Sequence, residues 1–245
     1  MNLTIMTIHS LSNNLQHTIE FVKSTFKLTH YYDLLIFDNG STDGLNWLRE
    51  QHNEWCEHKS LAGLVMPYCK NFVYTRSEED VGLPNAWNWG LSHFEQDKYS
   101  EFAVLCDNDV ILTSTINKIF PYLKDRPQIG LAAPELIDRR FTPDEAEDYA
   151  VCEAVEEDYE GLYGPCKVIP RHGYEKIGFF DPQFKYSFDD CDYFERTKKA
   201  GLLPRIYKGS YAWHYGGAST SLIKEKLGTP KVDSIYWERF NAKHG

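Results

Sequence analysis

An alternation of two patterns constrains this fold more than any other feature. Four short apolar runs, Leu3–Ile8, Leu34–Phe37, Phe72–Thr75 and Phe102–Cys106, are separated by segments of helical character. After the first run, Leu15, Ile19, Val22 and Phe26 recur in steps of four, three and four, the spacing that gathers side chains on one helix face. A helix is expected from about Leu45 to Gln51, with Asp43 as its N-cap, and another from about Pro84 to Phe94. Runs this short and this uniformly apolar suit strands buried on both faces. The chain therefore reads as α/β, with a mostly parallel central sheet flanked by helices. Ligands of such sheets bind beyond the carboxyl ends of the strands, so polar residues at those ends carry extra weight.

From about Gly130 the alternation weakens. The stretch 136–164, "LIDRRFTPDEAEDYAVCEAVEEDYEGLYG", is acidic and reads as loop-rich, and turn signals follow at Gly173, Gly178 and Asp181-Pro182. Asp190–Ala200 has helix composition and stops at Gly201, and Val232–Phe240 reads as a further helix that packs on the domain. No linker or repeat divides the 245 residues, so a single domain over 1–245 is expected, with a variable second half beginning near residue 113. The formal net charge of -10 disfavours nucleic acid as a partner, because that binding rests on clustered cations. An acidic chain that handles phosphates must bring positive charge locally, most simply as a metal ion. The six cysteines show no metal-ligand spacing and read as free, mostly buried thiols of a reducing compartment. "MNLTIMTIHS" reads as a first strand and not a signal peptide, and no apolar run approaches the ~20 residues of a membrane span. The expected location is cytoplasmic.

Acid collects at the strand ends. Asp38 and Asp43 follow the second run, Asp107-Asn108-Asp109 the fourth, and the third runs through "YTRSEEDVGLPNAWNWG" into a helix bearing Asn85, Asn88 and Gly90. If the strand continues through Asp107-Asn108-Asp109, alternation puts both carboxylates on one side, where two hard oxygen ligands suit Mg²⁺ or Mn²⁺. The competing reading is a solvated turn capping a helix near Ser114.

The motifs "IFDNGSTDG", "DVGLPNAWNWG", "VLCDNDV", "FDDCDYFERTKKAG" and "WHYGGAS", in this order, together with the tail "YWERFNAKHG", resemble the inverting family 2 glycosyltransferases of the GT-A (nucleotide-diphospho-sugar transferase) fold. The likeness covers nearly the whole chain and is greatest to the branch that contains rhamnosyltransferases. It implies a donor-nucleotide half, 1–112, and an acceptor and catalytic half, 113–245. Thr7 and Asp38 would contact the donor's base and ribose, with Asn39, Ser41, Asp43 and Asn85 shaping or lining that site. Asp107 and Asp109 would bind ribose and diphosphate through Mn²⁺ or Mg²⁺, and His214 would complete the metal shell, the alternative for it being a core imidazole. Asp190 would be the catalytic base, with Asp189 the alternate and N-capping the competing role. A position at a helix start favours the ionised carboxylate in both. Asp192 and Arg196, at i and i+4, read as a helical ion pair.

The resemblance implies a UDP-, TDP- or GDP-sugar donor and a glycan or glycoconjugate acceptor. Tyr186 and Trp213 are the aromatics expected to meet that acceptor. Two departures stand out: Asp80 replaces the Asn usual before "VGLP" and adds negative charge near the donor site, and Asp189 replaces the commoner Glu. The rival readings are a retaining GT-A transferase, a sugar nucleotidyltransferase and a non-catalytic sugar-nucleotide-binding protein. The spatial expectation common to all of this is that Asp38, Asp107, Asp109 and Asp190 converge in one cleft around a divalent cation.

Overall fold

Each of the four apolar runs lies inside a longer strand of the computed structural model, which describes residues 1–10, 15–42, 45–162, 164–216 and 229–245. Asp43 and the Ser219 end of the WHYGGAS motif lie outside the described residues. Strand β1 spans Asn2–Ser10 and β2 Tyr31–Asn39; a small hairpin of β3 (Ser60–Leu61) and β4 (Leu64–Val65) precedes β5 (Cys69–Ser77) and β6 (Ser100–Asp107). Between them run α1 (Leu15–Ser24), α2 (Leu45–His58) and α3 (Leu83–Gln96). β5, β2, β1 and β6 lie side by side and all parallel, as their apolar composition requires.

Side-chain alternation sorts these strands into two cores. Leu3, Ile5, Leu34, Ile36, Phe72 and Val104 face Phe21 and Val22 of α1 and Leu48 and Trp55 of α2. Met6, Ile8, Leu35, Phe37 and Leu105 face Ala86, Trp87, Leu91 and Phe94 of α3. Both faces are covered.

The second half is far more regular than its composition suggests. β7 (Val110–Leu112) leads through a 3₁₀ turn at Ser114–Lys118 into α4 (Ile119–Lys124), then β8 (Ile129–Asp138), α5 (Pro143–Glu153) and β9 (Asp158–Glu160). β10 (Cys166–Pro170), α6 (Arg171–Ile177), α7 (Asp189–Lys199), β11 (Leu203–His214) and a C-terminal helix, Thr229–His244, follow. Among the described residues nine strands form one sheet in the order β5-β2-β1-β6-β10-β8-β11-β7, with β9 on β11. The acidic stretch read as loop contains α5, whose start is fixed by a capping box. Thr142 Oγ1 accepts from the Glu145 N–H while the Glu145 carboxylate accepts from the Thr142 N–H. Among the described residues no helix is long and apolar enough to cross a membrane. Three of the six cysteines are buried (Cys69, Cys106, Cys166) and three exposed, fewer buried than expected, and all are free.

Gly173, read above as a turn signal, lies within α6, where the helix backbone closes on the Gly130 carbonyl of β8. A Cβ there would collide with that carbonyl, which belongs to the backbone and cannot swing aside. Gly173→Ala is expected to destabilise the protein by about 1–3 kcal/mol, measured by urea denaturation. A neutral Gly173→Ala would contradict the packing described.

Candidate functional site

The carboxyl end of β6 does not continue as a strand. After Asp107 the chain turns through Asn108 and Asp109 and re-enters the sheet as β7. The side chains of Asp107 and Asp109 therefore reach the same place through a turn, where a strand pleat was expected. Asn108 anchors the turn by donating its amide to Thr18 Oγ1 of α1 at 3.0 Å, and His9 Nδ1 pairs with the same hydroxyl at 2.8 Å. β7 runs antiparallel to β11, with Val110 opposite His214, and the Tyr215 N–H donates to the Asp109 carbonyl at 3.0 Å. That pairing brings His214 to Asp109, Nε2 to Oδ1 3.3 Å. Ligand atoms of Asp107, Asp109 and His214 all lie within 4.8 Å of one another, so the three can hold a metal ion. Two carboxylates and one imidazole on strand ends form a mixed oxygen and nitrogen set that fits Mn²⁺ with waters or phosphate oxygens completing the shell.

Electrostatics match this geometry. Burial raises the Asp107 carboxyl to about 6; the Lys167 ammonium opposes that shift, and the charges of Asp109 and Asp190 add to it. For His214, burial alone would lower the pKa. The hydrogen bond to Asp109, and then the charges of Asp109 and Asp107, outweigh burial and raise it above its ordinary value.

The second group of acids opens α7. Asp189 is buried, and burial with the neighbouring Asp190 charge raises its carboxyl to about 7. The helix-start dipole, expected to keep this carboxylate ionised, loses to desolvation. Asp189 is also not the N-cap: that position belongs to Phe188 in the left-handed region, without a side-chain cap bond. Asp190 is half-buried; its Oδ1 accepts the Cys191 N–H at 2.8 Å and its Oδ2 abuts the Gly164 backbone. The same strip of chain reaches the metal corner, because the Asp107 N–H donates to the Pro165 carbonyl at 2.8 Å. Asp192 pairs with Arg196 at 2.8 Å as its spacing implied, and it also holds the C-terminal helix through Lys243 at 2.6 Å and His244 at 2.8 Å. Those two partners lie 51 and 52 residues away in sequence, beyond any local pattern.

Asp38 does not join this cluster. In the sheet it is separated from Asp107 by β1, pairing with His9 on one side and with Arg76 on the other. It is fully buried. Its Oδ2 accepts from Arg76 at 2.6 Å and Tyr74 at 3.2 Å, and its Oδ1 from the Ser41 N–H at 2.9 Å. The expectation that Asp38 converges on the cation is not met: it lies outside the group of Asp107, Asp109 and His214, one strand away. Asn39 bonds the Asp80 carboxylate and the Val81 N–H, while Asp80 also caps Gly82, so Asp80 organises this turn. Asn85 donates to the Val81 carbonyl. Thr7, on β1 between Asp38 and Asp107, has a buried hydroxyl with no hydrogen-bond partner among the described residues. Trp213 is turned into the core with Ile137, Ala146 and Tyr211, its indole N–H on the Phe141 carbonyl at 2.8 Å. No ring face is left there for a sugar, so the expectation that it meets an acceptor is withdrawn. Tyr186 is half-buried, three residues before Asp189, in a small cluster with Phe184, Phe188, Tyr236 and Phe240.

Sequence reasoning missed Lys167 and Arg76. Each lies near a strand end; the strand register sets Arg76 opposite Asp38, while Lys167, opposite Leu105, acts on Asp107 and Asp189 by its charge.

The sequence profile described as glycosyl transferase family 2 matches residues 4–178. No curated protein matches the chain. Among solved structures it is similar to GalNAc-T7 with UDP, GalNAc and Mn²⁺, at a TM-score of 0.61 and 16% identity over 88% of this chain and 44% of that one. It is also similar to S. aureus TarS, at a TM-score of 0.61 and 14% identity over 88% of this chain and 37% of that one. The mannosyltransferase PcManGT from Pyrobaculum calidifontis in complex with GDP-Man and Mn²⁺ gives a TM-score of 0.57 and 18% identity over 86% of this chain and 56% of that one. At these identities the likeness is one of fold, and the chain spans less than two thirds of each of the three.

Carboxyls held above their ordinary pKa favour the fold when protonated, and that stability is lost as pH rises through about 6 for Asp107 and about 7 for Asp189. Without metal, these two groups are therefore expected to lower the melting temperature as pH rises from about 4, the ordinary carboxyl value, to about 7. Mn²⁺ should raise it more at the upper end, because metal ligands must be deprotonated. The double variant Asp109→Asn, His214→Ala should lose the Mn²⁺ response in differential scanning fluorimetry. A response that survives in the double variant, or one that grows toward low pH, would contradict the site.

Proposed function

Because the chain belongs to glycosyl transferase family 2, we propose that it moves a sugar, with inversion, from a nucleoside diphosphate donor to a hydroxyl of a glycan or glycoconjugate acceptor. The observation that carries this reading is the meeting of two chemistries at the strand ends. A three-residue metal corner of Asp107, Asp109 and His214 lies beside the acid pair Asp189 and Asp190. The donor's base and ribose lie over Thr7 and the Asp38–Ser41 turn, where the unpartnered Thr7 hydroxyl offers a free hydrogen bond. Arg76 and Tyr74 hold Asp38 in that turn, while Asn39 joins it to the Val81–Asn85 segment. Mn²⁺ is the ion best suited to the donor set, and when bound it supplies Lewis-acid stabilisation of the departing diphosphate. The resemblance to the rhamnosyltransferase branch favours a deoxyhexose as the sugar moved.

Asp190 acts as the base. It is the less buried of the two acids, whereas Asp189 is buried and keeps a proton up to about 7. Asp190 takes the proton of the acceptor hydroxyl, and that oxygen forms a bond to the anomeric carbon from the side opposite the diphosphate. The bond from the anomeric carbon to the diphosphate oxygen breaks, its electron pair leaves with the diphosphate, and the configuration inverts. Tyr186, near the base, lines the acceptor side.

A general base contributes roughly 10²–10⁴-fold. Asp190→Asn is accordingly expected to slow single-turnover transfer by about that factor while donor affinity, read by calorimetry with Mn²⁺, stays within about threefold. The assay supplies a panel of UDP-, GDP- and TDP-sugars with glycan acceptors, and NMR reads the product anomer. Retention at the anomeric carbon, or an unslowed Asp190→Asn, would sink the mechanism. Nucleotide-sugar binding without transfer to any acceptor would point to a non-catalytic binding protein.

A further inference from the structure

Lys167 is 3% exposed, an unusual place for an ammonium, and nothing in the reading above uses it. It stands on β10 opposite Leu105 of β6, on the face that packs against α3. Its Nζ lies 5.2 Å from the centroid of the Trp87 ring and donates a hydrogen bond to the Gly164 carbonyl. An ammonium has three N–H donors, and burying it without compensating charge is strongly unfavourable. The compensation comes from two acids on other elements: the Lys167 charge acts on both Asp107 of β6 and Asp189 of α7.

The backbone around Lys167 ties the same acids together. The Pro165 carbonyl accepts the Asp107 N–H, and Gly164 packs so closely on Asp190 Oδ2 that any Cβ would collide with it. The adjacent residues Gly164 and Pro165 therefore touch the proposed base and the metal corner respectively. Only glycine permits the approach.

We propose that Lys167 is the positioning residue of this site: its hydrogen bond fixes the Gly164–Pro165 turn against Asp107 and Asp190, and its buried charge steadies Asp189 beside them. The kinetic part of this assignment rests on the transferase reading; the structural part does not.

Three variants separate bond from charge. Lys167→Met removes both, Lys167→Gln keeps a donor for Gly164 without charge, and Lys167→Arg keeps both. The charged groups acting on Asp189 are Asp190 on its own helix, Lys167 on β10 and Asp107 on β6. With ¹³C-labelled aspartate in the metal-free chain, the Asp189 carboxyl is expected to titrate about one pH unit or more higher in the Met and Gln variants than in the parent. The Arg variant should stay near the parent. In transfer assays the Met variant is expected to lose about 10–100-fold in kcat with donor affinity within about threefold, the effect of displaced reacting groups and not of lost binding. If Lys167→Met does not fold, as judged by circular dichroism, Lys167→Gln is read in its place for the titration. An unmoved Asp189 titration in the neutral variants overturns the proposal even where Asp190→Asn is inactive and the transferase reading stands. If the parent transfers no sugar at all, the transferase reading fails, and the titration still decides the role of Lys167.

Discussion

Carboxylates crowded at a protein surface repel one another, and this site depends on how that repulsion is offset. Asp107, Asp109, Asp189 and Asp190 come from two stretches of chain, the β6–β7 turn and the start of α7, and act on one another electrostatically. Three positive or protonatable partners stand against them: Lys167 beneath, His214 beside Asp109, and the protons that Asp107 and Asp189 retain up to about 6 and about 7. A pocket held in this way remains short of positive charge at neutral pH. It is built to accept a cation, and an anionic diphosphate can follow that cation in. Asp38, already neutralised by Arg76, stands outside this balance, which leaves it free to serve a different part of the same ligand.

The sheet makes the arrangement possible. Four parallel strands supply the strand ends, and an antiparallel strand, β10, is inserted next to β6. That insertion delivers Gly164, Pro165 and Lys167 to the β6 terminus from the opposite chain direction. The pairing of β7 with β11 does the same for His214. Neither contact lies within a βαβ unit. The proposed donor side rests on the parallel half, and the proposed catalytic side on the strands that break its regularity.

How much of this the sequence discloses follows from the same division. Strands buried on both faces carry near-continuous apolar runs, so β1, β2 and β6 declare themselves, and β5, half-buried at the sheet edge, does so through Phe72–Thr75. β8, β10 and β11 carry Gly130, Pro134, Lys167, Pro170, Pro204 and Gly209, which interrupt the apolar runs, and β11 has register shifts besides. Their strand character comes from tertiary pairing and not from local pattern. The convergence of Asp107 and Asp109 was legible, but through the wrong geometry, since a turn and not a pleat brings them together. Asp189 shows a limit of local reasoning: the helix dipole is visible in the sequence, while the burial that overrides it is not. Arg76 and Asp38 are directly opposed across β2 and β5, a fact of register that no spacing reveals.

The most direct measurement is an anomalous-scattering map from crystals grown with Mn²⁺ and a nucleoside diphosphate. A manganese peak enclosed by the side chains of Asp107, Asp109 and His214, with diphosphate oxygens on its open side and Asp190 facing them, is the result this account requires. Manganese bound elsewhere, or a diphosphate lying away from the β6 terminus, would contradict it.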